Sequence, residues 1–243
     1  MKLYILIEDS ESFHKILPSW LKILLPSYSR ARTPDEMGAN SYYLFGAGGY
    51  PKILGTNKSS PGKNILGAAI ETVNENNIDM LIVCLDADDD TVFDRINRVF
   101  LKINSYQEKM KRAYKVLVQN KCIETWMLGN RKMFAERPKT EAFAAFSSHY
   151  NVKTADPEFM LKPRDYPDTN SMYHADYLRR MLRERRIMYT KSSPPEALKT
   201  PDYFEEMRER AENTKHLKSF RIFLEFFKGL DDECKAQRLD SAE

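Results

Sequence analysis

The sequence predicts an α/β fold: a Rossmannoid, largely parallel sheet flanked by helices, with a helical extension after it. Four short apolar runs, "KLYILI", "NSYYLF", "LIVCL" and "YKVLVQ", punctuate the first 130 residues, and each is rich in the Ile, Leu, Val and Tyr that suit buried strands. Segments with apolar residues at helical spacing lie between and after them. The resulting β-α-β-α-β-α-β-α order builds a parallel sheet whose ligands gather at the carboxyl ends of the strands. Beyond residue 130 no further strand pattern appears. The sequence thus divides into an α/β domain over residues 1–130 and a helical extension over 131–243, expected to pack on it.

The first strand is "KLYILI", residues 2–7, bounded by Glu8 and Asp9. A helix follows, with Phe13, Ile16, Leu17, Trp20, Leu21, Leu24 and Leu25 on one face and Ser10 as its expected N-cap. Pro18 predicts a bend or break in it. "NSYYLFGAGGYP" reads as a strand ending in a glycine-rich turn, and "GKNILGAAIETVNENN" as the next helix. The third strand, residues 80–85, runs into four acids, and the helix after it carries Val92, Phe93, Ile96, Val99, Phe100 and Ile103 on one face. "YKVLVQ", residues 114–119, is the fourth strand, leading through "NKC" into a helix with Glu124 and Trp126. In the extension, helices are predicted near 172–188 and over 203–228, separated by proline-broken loops, with a frayed tail over the last dozen residues.

Composition narrows the classes of function. With 42% hydrophobic and 30% charged residues the chain is that of a soluble globular protein. No apolar run approaches the ~18 residues of a membrane span. The first residues, "MKLYILIEDS", meet an acid too early for a secretory signal, so a cytoplasmic protein without membrane association is expected. Three scattered cysteines exclude a disulfide framework or a cysteine-based zinc site, and the four histidines show no metal spacing. Any metal must therefore be held by oxygen.

The acids supply that oxygen. "LIVCLDADDDT", residues 81–91, sets a buried strand against Asp86, Asp88, Asp89 and Asp90, and packed like charges cost stability unless a cation or a helix start compensates. Glu8 ends the first strand and Glu124 follows the fourth. Parallel strands bring such ends to one edge of the sheet, where a divalent ion of the magnesium or manganese type neutralises them. Asp86 and Asp88, two apart, project to one side of an extended stretch. An EF-hand loop is excluded, because Thr91 stands where glycine is needed and Asn97 where glutamate is. An aspartyl-phosphatase motif is off register. Asp88 to Asp90 also suit a helix cap and first turn, which remains a purely structural alternative.

"LIEDSES" after a first strand, with "LDADDD" after a third, resembles the Toprim domain of topoisomerases, primases and the OLD family of nucleases. The resemblance covers about residues 1–130, and "NKCIETWML" is similar to a segment of small bacterial Toprim-like proteins linked to phage defence. It implies a Toprim-like fold in which Glu8 acts as general acid or base and Asp86 and Asp88 bind Mg2+ or Mn2+. Glu8, Asp90 and Glu124 are further candidate metal ligands, with Glu11 a more distant one. The family often has glycine after the glutamate, where this chain has Asp9. No G-x-x-x-x-G-K-[ST] phosphate loop is present, so an ATPase partner would be a separate subunit.

The implied activity is metal-dependent nuclease cleavage of DNA or RNA phosphodiesters, by an effector of bacterial anti-phage defence. The alternative is a catalytically inactive Toprim-like module that binds a partner ATPase or nucleic acid. For a nucleic-acid partner the candidate phosphate contacts are Lys121 and, from the five-arginine run "YLRRMLRERRIMY", Arg179, Arg183 and Arg186. The same run equally suits a solvated helix face paired with Glu184. A homo-oligomer is left open.

Overall fold

A computed structural model describes residues 1–55, 64–106 and 109–240, the last four of these by backbone alone. The chain forms two compact units that do not follow chain order: the first comprises residues 1–85, 93–118 and 225–243, the second residues 86–92 and 119–224.

The first unit carries a five-stranded parallel sheet of order β2-β3-β1-β4-β5. The strands are β1 (Lys2–Ile7), β2 (Ser29–Arg30), β3 (Ser41–Gly46), β4 (Met80–Asp86) and β5 (Ala113–Gln119). Four of them are the predicted ones. The fifth, β2, has two residues and no apolar pattern to announce it. Leu3 through Ile7 of β1 and Leu81 through Leu85 of β4 are all buried, as continuous apolar runs with helices on both faces must be. In sequence, β1 is followed by strands on one side of it and then, from β4, by strands on the other. The sheet therefore reverses its winding between β1 and β4, the position where open α/β sheets leave a crevice at their carboxyl ends.

Helices α1 (Ser12–Leu24), α2 (Ile65–Glu75) and α3 (Val92–Asn104) connect these strands. α1 runs unbroken through Pro18. Its start is fastened by Asp9 rather than the expected Ser10: the Asp9 carboxylate accepts from the amides of Glu11 (2.6 Å) and Phe13 (2.7 Å) and from the Ser12 hydroxyl (2.9 Å). α2 is capped by Asn64, which accepts from the amides of Leu66 and Gly67. On α3 the predicted apolar face is only partly used. Val99 and Ile103 are buried with Arg95, whereas Phe93 is 71% and Phe100 49% exposed.

The second unit is built from α4 (Ile123–Met127), α5 (Glu141–His149), α6 (Asn170–Glu184), α7 (Pro201–Asn213) and the first turns of α8 (Lys218–Asp240). Its core is aromatic. Trp126 packs 5.1 Å from both Phe220 and Phe223, and its indole donates to Ser219 Oγ at 2.8 Å. Fully buried Arg210 donates to the carbonyls of Gly129, Val152 and Ala155 at 2.7–3.1 Å, satisfying loop backbone that would otherwise be orphaned.

The single helix predicted over 203–228 is two helices. Thr214 accepts from the His216 amide (3.0 Å) and Leu217 turns into the left-handed region at φ 54°, its amide donating to Asp156 (3.1 Å). The apolar residues stay in phase across this break, which is why periodicity misses it. α6 ends earlier than predicted, at Glu184. Arg186 lies at φ 61° while Ile187 donates to Leu182 (3.0 Å) and Arg186 to Arg183 (2.9 Å), a Schellman close. Of the expected frayed tail, the part up to Asp240 continues α8, and residues 241–243 lie outside the described residues. Among the described residues no helix is long and apolar enough to cross a membrane.

Candidate functional site

In the first unit, Glu8 stands directly after β1. Its amide donates to the Cys84 carbonyl of β4 (2.9 Å), its carbonyl accepts from Gly49 (2.8 Å), and carboxylate Oε1 accepts from the Tyr50 amide (3.1 Å). The "GAGGYP" run, predicted as a turn and no more, is thus what orients this carboxylate. Its glycines are required there: a Cβ on Gly46 would lie 2.8 Å from Ser10 Cα, and Gly48 and Gly49 sit at φ +76° and +107°. The Tyr50 ring in turn carries the Arg95 guanidinium 3.9 Å from its centroid, and its hydroxyl accepts from Arg98 at 3.3 Å. Glu11, the distant candidate, pairs with Lys15 at 3.3 Å.

In the second unit, the acidic stretch is a turn. β4 ends at Asp86; the Ala87 amide then donates to Gln119 O (2.9 Å) and the Asp88 amide to Lys121 O (3.0 Å). Asp88 takes a left-handed conformation, φ 52°, and the Asp90 amide closes the turn on Ala87 O at 2.9 Å. The expectation that Asp86 and Asp88 share a side through strand alternation is therefore corrected: alternation stops where the strand stops. Asp89 is committed elsewhere. Its carboxylate accepts from the amide (3.1 Å) and side chain (2.6 Å) of Asn170, fastening the turn to the start of α6.

Glu124 is 0% exposed in the short α4. Oε1 accepts from the Tyr189 hydroxyl at 2.6 Å and lies 3.6 Å from Lys191 Nζ. Oε2 is buried and makes no hydrogen bond among the described residues. Neighbouring Cys122 reports on the surroundings. Burial pushes its thiol well up, the charges of Glu124 and then Asp86 push it further, and Lys191 opposes them. Asp86, Glu124 and Lys191 are therefore close enough to act on one buried group. Tyr189 and Lys191 were not singled out from sequence; they lie in a loop more than sixty positions along the chain from Glu124, and no spacing rule connects them.

Of the predicted basic contacts, Lys121 is half-buried at φ 75°, its carbonyl holding both the Asp88 amide and the Ser171 hydroxyl (3.3 Å). Arg179 pairs with Asp176. Arg183 and Arg186 are exposed at the end of α6. Among the described residues no three His, Cys, Asp or Glu side chains form a group able to cage a metal ion. No protein family, curated protein or solved structure matches the chain.

Proposed function

We propose that the protein is a divalent-metal-dependent nuclease that hydrolyses phosphodiester bonds of DNA or RNA. The observation that carries this is Glu124, a fully buried carboxylate held by the Tyr189 hydroxyl and Lys191 at Oε1 with the Cys122 thiol beside it, whose Oε2 has no N–H or O–H donor among the described residues. Such a group costs about 1–3 kcal/mol or more, and is retained where an ion or a catalytic role uses it. Asp86 supplies a second carboxylate in the same unit, and its charge, like that of Glu124, acts on the buried Cys122 thiol. This donor set is hard oxygen, which fits magnesium or manganese, and magnesium is typically held by one or two carboxylates with water and substrate phosphate completing the shell. Bound there, the ion would polarise a phosphate and lower the pKa of a water.

The chain's own groups have separable tasks. Tyr189 and Lys191 fix Glu124 and partly balance its charge. In the first unit, Glu8 has its carboxylate oriented by the Tyr50 amide. To Lys121 we assign a contact with backbone phosphate, which carries no sequence preference. In the cell we place this activity in anti-phage defence, with a separate ATPase subunit as partner.

The test is cleavage of supercoiled plasmid, single-stranded DNA and RNA with magnesium or manganese, beside manganese binding followed by electron paramagnetic resonance. Wild-type protein should cut and bind the ion; EDTA and Asp86→Asn should abolish both with unchanged melting. A correctly melting wild type that cuts nothing and leaves the manganese signal unaltered sinks the proposal in favour of an inactive binding module.

A further inference from the structure

Away from the acids, the second unit holds a cavity of about 320 Å³ between α5, α6 and the loop that joins the 157–159 turn to α6. Its walls are rings: Phe146 stacks on Tyr173 with centroids 4.7 Å apart and planes 12° from parallel. Tyr166 (5.0 Å) and His149 (5.7 Å) meet Tyr173 edge-on. Into this aromatic group comes one cation. The Arg180 guanidinium lies 4.8 Å from the Phe146 centroid, and its buried Nε donates to nothing among the described residues. A tyrosine, a phenylalanine and a histidine lining one opening, with an arginine plane among them, is more than a core needs. Phe146 and Tyr173 close on one another, while the cavity beside them is lined by Tyr166 and His149 as well.

The size of that space selects the ligand. It lies at the lower end of the roughly 300–1,000 Å³ of small-molecule sites, enough for one ring system with its attached sugar and too small for an extended ligand. The electrostatics select further. Arg180 lines the cavity with Asp165, and exposed Arg164 sits between the lining residues Pro163 and Asp165. Arg180 and Asp165 balance one another in the lining, and Asp176 accepts from the lining Tyr166 hydroxyl, so the charge is mixed and Arg180 with neighbouring Arg164 is what a phosphate would meet. We propose that this cavity is a nucleobase-stacking pocket, taking one base of a single-stranded nucleic acid or of a free nucleotide. Aromatic side chains and arginine planes hold unstacked bases whatever their identity, because every base has a π-face. Asp165 offers an acceptor to a base's exocyclic amine, and the terminal N–H groups of the Arg180 guanidinium are donors to a carbonyl or phosphate oxygen.

This inference does not depend on the acids binding a metal, and its test is run in EDTA to keep the two apart. The probes are fluorescein-labelled oligothymidylate, read by anisotropy, and unlabelled AMP as competitor. Phe146→Leu removes the ring and keeps apolar volume; Arg180→Met keeps the stem and removes the charge. Tyr166→Leu, on the loop, serves should Phe146→Leu lower the melting temperature.

Loss of one stacking partner should weaken oligothymidylate roughly tenfold or more. Arg180→Met should also lower the slope of log affinity against log salt by about one. Competition by AMP identifies a pocket open to free nucleotides; binding of the oligonucleotide alone identifies a strand pocket, and either supports the proposal. It is overturned if the wild type binds neither probe, or if variants with unaltered melting bind as the wild type does. Cleavage lost in Asp86→Asn with binding intact, or the reverse, separates this proposal from the nuclease.

Discussion

Asp88 is the residue at which a structural and a chemical role can be pulled apart. It sits at φ 52°, where a β-carbon crowds the backbone, and its amide is bound to Lys121 O at 3.0 Å, so the conformation is held from outside. Left-handed backbone costs an ordinary L-residue about 1–2 kcal/mol, little for Asn or Asp and nothing for Gly. Asp88→Asn and Asp88→Gly should therefore melt within about a degree of the wild type, since ~1 kcal/mol moves a chain of this size by roughly 2–4 °C. Asp88→Ala should cost about 1 kcal/mol and Asp88→Val about 2 kcal/mol, the branched side chain being the least tolerant. Calorimetry gives this order. Manganese binding and nuclease assays on the same four proteins give another: if the carboxylate holds the ion, Asn and Gly lose binding as fully as Val does, despite native stability. Asn retaining full metal-dependent activity while Val loses it would refute the ligand role and leave Asp88 as a turn residue only.

Two further outcomes follow from the second unit. Tyr189→Phe removes the one short hydrogen bond to buried Glu124 (2.6 Å) and should cost about 2 kcal/mol in urea denaturation, partly recovered by added magnesium or manganese; an unchanged midpoint would mean that Lys191 alone satisfies the carboxylate. His174 is fully buried between Thr125 Oγ1 (2.8 Å) and Met160 O (3.0 Å), and burial lowers its pKa to about 4. The unfolded chain, with a histidine near 6.5, then binds more protons than the folded one between pH 6.5 and 4. Stability present above pH 6.5 is lost on acidification through that window, by about 3 kcal/mol at pH 4. His174→Gln should flatten this slope, and an equal slope in the variant would remove His174 as its source.

The sheet was legible because β1 and β4 are buried on both faces, so their apolar runs are unbroken and end on acids. Glu8 and Asp86 were legible for the same reason: a polar residue ending such a run marks a strand's carboxyl end. What was hidden depends on partners distant in sequence. Nothing local to Ser29–Arg30 makes it a strand; β3 does, through pairing at Ser41 and Tyr42. Phe93 and Phe100 fit a helical apolar stripe, yet the structure uses only the side of α3 bearing Arg95, Val99 and Ile103. The supports of the candidate site belong to this class too. The Tyr50 amide reaches Glu8, and Tyr189 and Lys191 reach Glu124, through folding alone.

Asp9 was the main departure from the Toprim pattern, and the local geometry accounts for it. Glycine is required only where the backbone turns left-handed or another chain segment comes too close, and Asp9 is not among the positive-φ residues. Its carboxylate instead gathers two amides and a hydroxyl at the start of α1, a duty glycine has no side chain to perform. The left-handed residues lie elsewhere in this region, at Asp88 and Lys121, joined by the hydrogen bond between them. Aspartate takes that conformation at little cost, so of the two it is Lys121 that carries the strain. Strain of this kind persists where particular side chains are needed at particular angles. The strain sits at Lys121, whose carbonyl ties the segment after β5 to the turn that bears Asp88.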